Sequence, residues 1–219
     1  CLAINALVKS NVLVAFGKPL GVGKESDLYD AIAINDERVA VKFHRLGRTS
    51  FRQTKRVRGY IAERRHISWL YQSRLAAEKE FEALKLVYPC GVSVPQPISN
   101  NRHVIVMSMI EGEDLYHVPE IPKPKKVLDE ILENVKRTYH MAGIIHADLS
   151  EFNVILKPDY HVLIIDWPQF VKKDHPNAEM LLDRDIRNII QFFHKRFRIK
   201  QDIQETINFV KGKANALKK

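Results

Sequence analysis

The chain has 219 residues, 45% hydrophobic and 28% charged, and carries a formal net charge of +9 from 35 basic and 26 acidic side chains. That is enough chain to bury a substantial core, as one large domain or two small lobes. No run approaches eighteen apolar residues and no charged-then-apolar leader precedes a small-residue cleavage site, so a membrane-spanning or secreted protein is not expected.

The chain opens on Cys1 without an initiator Met, which points to a fragment or processed form with something missing upstream. Residues 2–16 read as a helical turn running into an apolar stretch; residues 17–26 follow, with Gly21-Val22-Gly23 as a glycine-rich turn between two strands. Residues 27–34 alternate well enough for a strand, Asn35-Asp36-Glu37 supply turn chemistry, and residues 38–44 form the next strand. Residues 45–70 lack periodicity. Between Arg45 and Arg65, eight basic residues face one acid, Glu63, a local +7. A solvated loop accounts for such a run; so does a polyanion partner, either a phosphorylated substrate or nucleic acid.

From residue 73 to 88 the apolar positions Leu75, Ala76, Phe81, Leu84 and Val87 recur at near-helical spacing until Pro89. Short strands are expected at 94–98 and 103–109. Val127, Leu128, Ile131, Leu132, Val135 and Tyr139 then mark an amphipathic helix ending at Gly143. A hairpin over 154–157 and 161–165 turns at Pro158-Asp159, and helices near 178–193 and 201–211 close the chain. Strands dominate the first half and helices the second, an α+β pattern of two lobes with a ligand between them. Cys90, the other cysteine, shows no metal spacing with Cys1, and two cysteines are too few for a disulfide framework; a reducing, cytoplasmic compartment fits.

Five segments carry chemistry. Gly21-Val22-Gly23 is a weak signal alone, but it precedes Lys24-Glu25-Ser26, whose backbone and hydroxyl can approach phosphate oxygens. Lys42 stands in the apolar strand Val39-Ala40-Val41-Lys42, where an ammonium must either snorkel to water or find a partner. A helix glutamate offers one, and Glu80, flanked by Phe81, is preferred over Glu78. Such a pair sets a lysine on the α- and β-phosphates of a nucleotide. In His146-Ala147-Asp148-Leu149-Ser150-Glu151-Phe152-Asn153 an acid and an amide lie five residues apart, and Asp166-Trp167-Pro168 follows. One carboxylate can orient a nucleophile while the amide and second carboxylate hold Mg²⁺ on a triphosphate. Alone, this motif also fits a capped turn between strands; five features in one order make chance agreement remote.

These residues resemble the protein-kinase superfamily and, within it, the RIO atypical serine/threonine kinases. Residues 21–29 look like their phosphate loop, and residues 41–51 like the strand and loop of the branch with an N-terminal winged-helix domain. Residues 146–153 and 165–168 are similar to its catalytic and metal loops, and residues 183–189 to the helix that follows. The resemblance implies a bilobal kinase-like fold: a linker or helix over 1–17 leading from a missing upstream domain, an N-lobe over 18–110 with a basic loop at 45–70, and a C-lobe over 111–219.

It also implies ATP with Mg²⁺ or Mn²⁺, Asp148 as catalytic base, and Asn153 and Asp166 as metal ligands. Lys42 would touch the phosphates, Ser26 would belong to the phosphate loop, and Met107 would be the gatekeeper, with the Ser108 carbonyl and Ile110 amide on the adenine edge. In this family the residue at Asp166 is associated with an aspartyl-phosphate, and the partner is the precursor small ribosomal subunit with its rRNA. Thr49 and Ser50 are candidate autophosphorylation sites, or simply solvated. His146 is expected to order the catalytic loop.

Departures from ordinary protein kinases sharpen the expectation. Ala147 replaces the arginine that docks a phosphorylated activation loop, and Pro168 replaces the glycine of the metal motif and fixes φ. Only 18 residues separate Asp166 from Asp185, with no Ala-Pro-Glu, so an activation segment of usual length does not fit. Peptide phosphorylation is then a lesser task than ATP binding or hydrolysis. Two alternatives remain: a small-molecule kinase of the aminoglycoside or choline type, and a nucleotide-binding ribosome-assembly scaffold with negligible turnover.

Overall fold

A computed structural model of the chain describes residues 2–23, 25–45 and 69–213. Lys24, Thr49, Ser50 and nearly all of the basic run lie outside the described residues. The chain divides into two compact units, residues 1–82 with 96–110, and residues 83–95 with 111–219.

The first unit is built on a five-stranded antiparallel sheet in the order β1-β2-β3-β5-β4. Its strands are β1 (Leu13–Val22), β2 (Ser26–Ala33), β3 (Arg38–His44), β4 (Pro97–Asn101) and β5 (Val104–Ser108). One face is apolar. Ala31, Ala33, Val39, Val41, Val104 and Val106 meet Ala3 and Leu7 of α1 (Leu2–Lys9), which stand one helical turn apart on the inner side of that helix. The alternate residues of β3, among them Ala40, Lys42 and His44, point to the opposite face. The register sets Ala40 across from Met107 and Lys42 across from Ile105. The long helix α2 (Trp69–Val87) brings Glu80 to Lys42 on this second face.

The strand β1 extends past the apolar stretch that the sequence reading ended at residue 16, up to the glycine-rich turn it placed at Gly21-Val22-Gly23. β1 runs through Gly17, Pro19 and Gly21, with register shifts between Leu13 and Ala15, Phe16 and Pro19, and Pro19 and Gly21. The cause is local. A Cβ at Gly17 would collide with the Asp30 carboxylate, which also accepts from the Lys18 amide. Pro19 has no N–H to offer, which an edge strand tolerates. Between β1 and β2, Gly23 N–H donates to Ser26 O at 2.8 Å. A Cβ on Gly23 would press to 3.0 Å from that same carbonyl.

The second unit packs α3 (Pro124–Arg137), α4 (Ala178–Phe197) and α5 (Ile203–Val210) on one another. Val127, Leu128, Ile131, Leu132 and Val135 form the buried stripe of α3. The helix continues through a π turn, Thr138–Ala142, and stops at Gly143, whose left-handed φ of 68° lets its N–H close back on Thr138 O. Two small sheets follow, β6-β8-β9 (Glu113–Asp114, Val154–Leu156, Val162–Ile164) and β7-β10 (Ile144–Ile145, Val171–Lys172). The two-residue strands β6, β7 and β10 have no counterpart in the sequence reading, because two residues carry no period. Among the described residues no helix is long and apolar enough to cross a membrane.

Candidate active site

In the first unit the Lys42 ammonium lies 2.8 Å from both Oε1 and Oε2 of Glu80. Lys42 is 7% and Glu80 2% exposed, so the pair is shielded from water and its charges are little screened. Glu78, two residues earlier, is spent on a surface pair with Arg74. A third group joins the buried pair: His44 Nε2 is 2.7 Å from Glu80 Oε2. Burial alone would raise the Glu80 carboxyl, but Lys42 and His44 outweigh it and hold it well below the usual carboxylate range. Sequence reasoning passed over His44, although its position two residues after Lys42 put it on the same strand face.

The neighbouring residues are ordered as a lining. Met107 is 2% exposed and Ala40 is fully buried opposite it, so a small and a flexible apolar side chain share the face that carries Lys42. Ser108 ends β5; its N–H donates to Gln96 O and its Oγ accepts from Gln96 N–H, both at 2.9 Å. Ile110 follows, half-buried. Ser26 starts β2 opposite His44, while Gly21 and Val22 end β1 and Gly23 follows. The Glu25 carbonyl accepts from Arg45 N–H at 2.6 Å.

In the second unit residues 146–153 form the loop between β7 and β8, and residues 165–168 follow β9. The two loops are clasped together. His146 Nε2 lies 3.0 Å from Ile165 O, its ring sits 4.5 Å from that of Trp167, and Ile165 N–H donates to Asn153 O at 3.0 Å. Trp167 is buried and donates its indole N–H to Ile164 O. Asn153 gives its amide Nδ2 to Asp148 O at 2.7 Å, which turns the opposite end of the amide, the oxygen a cation can use, away from that carbonyl. Asp148 is exposed and Asp166 half-buried.

Two residues of these loops hold left-handed backbone: Ala147 at φ 63° and Asp166 at φ 67°. Asp tolerates that region, whereas alanine does so at a cost of about 1–2 kcal/mol. The support for Ala147 is Asp185, in α4. Its buried carboxylate accepts from Ala147 N–H at 2.7 Å and Leu149 N–H at 3.1 Å, so the two amides flanking Asp148 are pinned to one side chain. Arg184 donates to Ala147 O, and Asn188 to Leu149 O at 3.1 Å. Asp185 was recognised in the sequence only as part of a helix, because nothing in residue spacing announces a side chain that accepts from a loop 36 to 38 residues away.

Burial is the largest influence on Asp185 and pushes its carboxyl up to about 7, against the pull of the two amide donors. An unfolded aspartate titrates near 4. The folded value is raised, so this group's contribution to stability is complete below about pH 4 and is lost as pH rises through about 7. Asp185→Asn cannot ionise and sets an NH₂ against one backbone N–H. An orphaned buried amide costs about 1–3 kcal/mol, so the melting temperature should fall by roughly 3–10 °C at pH 5. The gap to the parent should narrow between pH 5 and pH 8; a gap that widens in circular-dichroism melts contradicts the raised value.

Residues 27–206 match the RIO domain family model. The RIO-type serine/threonine-protein kinase Rio2 of Methanocaldococcus jannaschii is 48% identical over 206 residues, covering 92% of this chain and 75% of the relative. The serine/threonine-protein kinase rio2 of Schizosaccharomyces pombe is 40% identical, covering 92% of this chain but 58% of the relative. Among solved structures, the Rio2 kinase–ADP/Mg²⁺–phosphoaspartate complex from Chaetomium thermophilum superposes with a TM-score of 0.76 at 33% identity, over 98% of this chain and 70% of that one. The α+β, kinase-like fold class follows from that superposition.

Proposed function

The chain belongs to the RIO domain family, and from that premise we propose that it is an atypical serine/threonine phosphotransferase with ATPase activity, using ATP with Mg²⁺ or Mn²⁺. The observation that carries the reading is the clasp that holds Asp148, Asn153 and Asp166 on two mutually bonded loops. The relatives' serine/threonine-kinase names and the ADP, Mg²⁺ and phosphoaspartate of the Chaetomium complex support it.

In this reading Lys42, held by Glu80, meets the α- and β-phosphates, and residues 21–26 cover them. Met107 bounds the adenine pocket, with the Ser108 carbonyl and Ile110 amide on the base edge. Asp166 and Asn153 supply hard oxygen donors of the kind Mg²⁺ takes. Among the described residues no group of three or more His, Cys, Asp or Glu could hold a metal, so the triphosphate would provide the remaining oxygens. When bound, the cation neutralises phosphate charge.

Asp166 acts as nucleophile: one carboxylate oxygen bonds to the γ-phosphorus as the bond to the bridging oxygen of ADP breaks. Water then attacks the acyl phosphate, Asp148 takes its proton, and inorganic phosphate leaves. With only 18 residues between Asp166 and Asp185 there is little chain to dock a peptide, so hydrolysis should outrun peptide phosphorylation.

We place this activity in the cytoplasm, on the precursor small ribosomal subunit, with rRNA as the polyanion. The +9 net charge and the local +7 over residues 45–65 support it, since lysine and arginine contacts to phosphate dominate nucleic-acid affinity. Thr49 and Ser50 are the proposed autophosphorylation sites. The test is ATP turnover with γ-labelled ATP and acid quench. Mg²⁺-dependent phosphate release and a hydroxylamine-sensitive label on the protein are expected. Peptide phosphorylation faster than hydrolysis, transfer to an aminoglycoside or choline, or tight nucleotide binding without turnover would each overturn it.

A further inference from the structure

We propose that His44 is a positioning residue for Lys42, acting through Glu80, so that the ammonium can leave one carboxylate oxygen for a nucleotide phosphate. The proposal rests on the ATP-binding reading above. Glu80 Oε2 lies within ion-pair distance of two nitrogens from the same strand, Lys42 Nζ at 2.8 Å and His44 Nε2 at 2.7 Å, whereas Oε1 meets Lys42 at 2.8 Å. All three side chains are buried: His44 is 3% exposed, Lys42 7% and Glu80 2%.

The histidine backbone is held on both sides. His44 N–H donates to His103 O at 2.8 Å, and His44 pairs with Ser26 at the start of β2. A ring on a backbone held in this way has no route to solvent by rotation of a long stem, as a lysine has.

An ammonium that turns toward a phosphate must weaken its grip on the carboxylate. A buried carboxylate oxygen stripped of a donor is expensive to leave unmatched. His44 removes that penalty at Oε2, because it stays where it is while Lys42 moves. With His44 gone, Oε2 would have Lys42 as its one remaining cationic neighbour of the three, and Glu80 would compete harder with the phosphates for the ammonium. His44 touches neither base nor ribose in this scheme, so its effect should scale with the phosphates of the ligand and vanish for adenosine.

The experiment is calorimetric titration of the chain and its variants with Mg·ATP and, separately, with adenosine. His44→Gln places an amide nitrogen where Nε2 stood, whereas His44→Asn is one methylene short and His44→Leu has no donor. The Leu and Asn variants should lose about tenfold in Mg·ATP affinity, the size of one hydrogen bond to a charged group, with adenosine affinity unchanged. His44→Gln should stay within about twofold of the parent on both ligands. Equal losses for ATP and adenosine, or a Gln variant as weak as Asn, overturn the proposal in favour of a packing role. If His44→Leu does not fold, the Gln-against-Asn comparison decides alone. A parent chain that binds no Mg·ATP fails the function reading itself, whereas a parent that binds and a His44→Asn variant that binds equally well fails only this inference.

Discussion

Asp166→Asn is expected to lower Mg²⁺-dependent ATP turnover by about 10³-fold or more and to abolish the hydroxylamine-sensitive label on the protein. The substitution is a clean one for a structural reason. Asp166 sits at φ 67°, and asparagine is the other residue that accepts left-handed backbone readily, so the loop keeps its shape while the anionic oxygen is lost. The clasp around it, His146 to Ile165 O and Trp167 to Ile164 O, does not involve the Asp166 carboxylate.

Asp148→Ala should behave differently. A carboxylate nucleophile needs no base to make the acyl phosphate, but water needs one to break it. The Ala variant should therefore form the label and hold it, with steady-state turnover down by about 10²–10⁴-fold. Rapid-quench time courses separate the two. If both variants hydrolyse ATP like the parent, the assigned roles are wrong; if Asp148→Ala fails to label while Asp166→Asn still labels, the nucleophile is misplaced.

The contrast between these loops and the rest of the site explains what could be read from residue order. The Lys42–Glu80 pair was legible because a charge in an apolar strand demands a partner, and a helix with an inward glutamate supplies one. The two loops that carry Asp148, Asn153 and Asp166 were legible because loop chemistry at short separations leaves a fixed spacing. Asp185 and His44 were not, since their work is done on a backbone amide or a carboxylate that is close only after folding.

The same holds for β1. Its two glycines and proline have turn composition, and only the approach of Asp30 to Gly17 shows why they sit in a bulged edge strand instead. The helices were the easiest elements to read. α3 carries five apolar residues on one stripe, and α4 runs four residues beyond the expected end before Arg198 at φ 59° stops it.

Lys42→Met is expected to destabilise the fold and to do so more as pH rises. In the parent, Lys42 and His44 hold the Glu80 carboxyl below its unfolded value, so Glu80 adds stability above the unfolded value near 4 and loses it as pH falls toward the folded one. Without the ammonium the first-ranking influence, burial, is opposed only by His44, and the folded value should rise. The sign then reverses: the variant is least harmed when Glu80 is protonated and loses stability as pH climbs. Breaking one side of a buried pair costs about 3–5 kcal/mol, which should be approached at pH 8 and be much smaller at pH 4. Urea midpoints across that range measure it. Adding Glu80→Leu to Lys42→Met removes the stranded charge and should recover most of the stability, because a buried ion pair exchanged for apolar side chains is often neutral. Mg·ATP affinity should not recover with it, since the phosphates still lack their cation. A double variant no more stable than Lys42→Met, or a single variant equally stable at both ends of the pH range, would show that the charge on Glu80 is not what the strand lysine is there to balance.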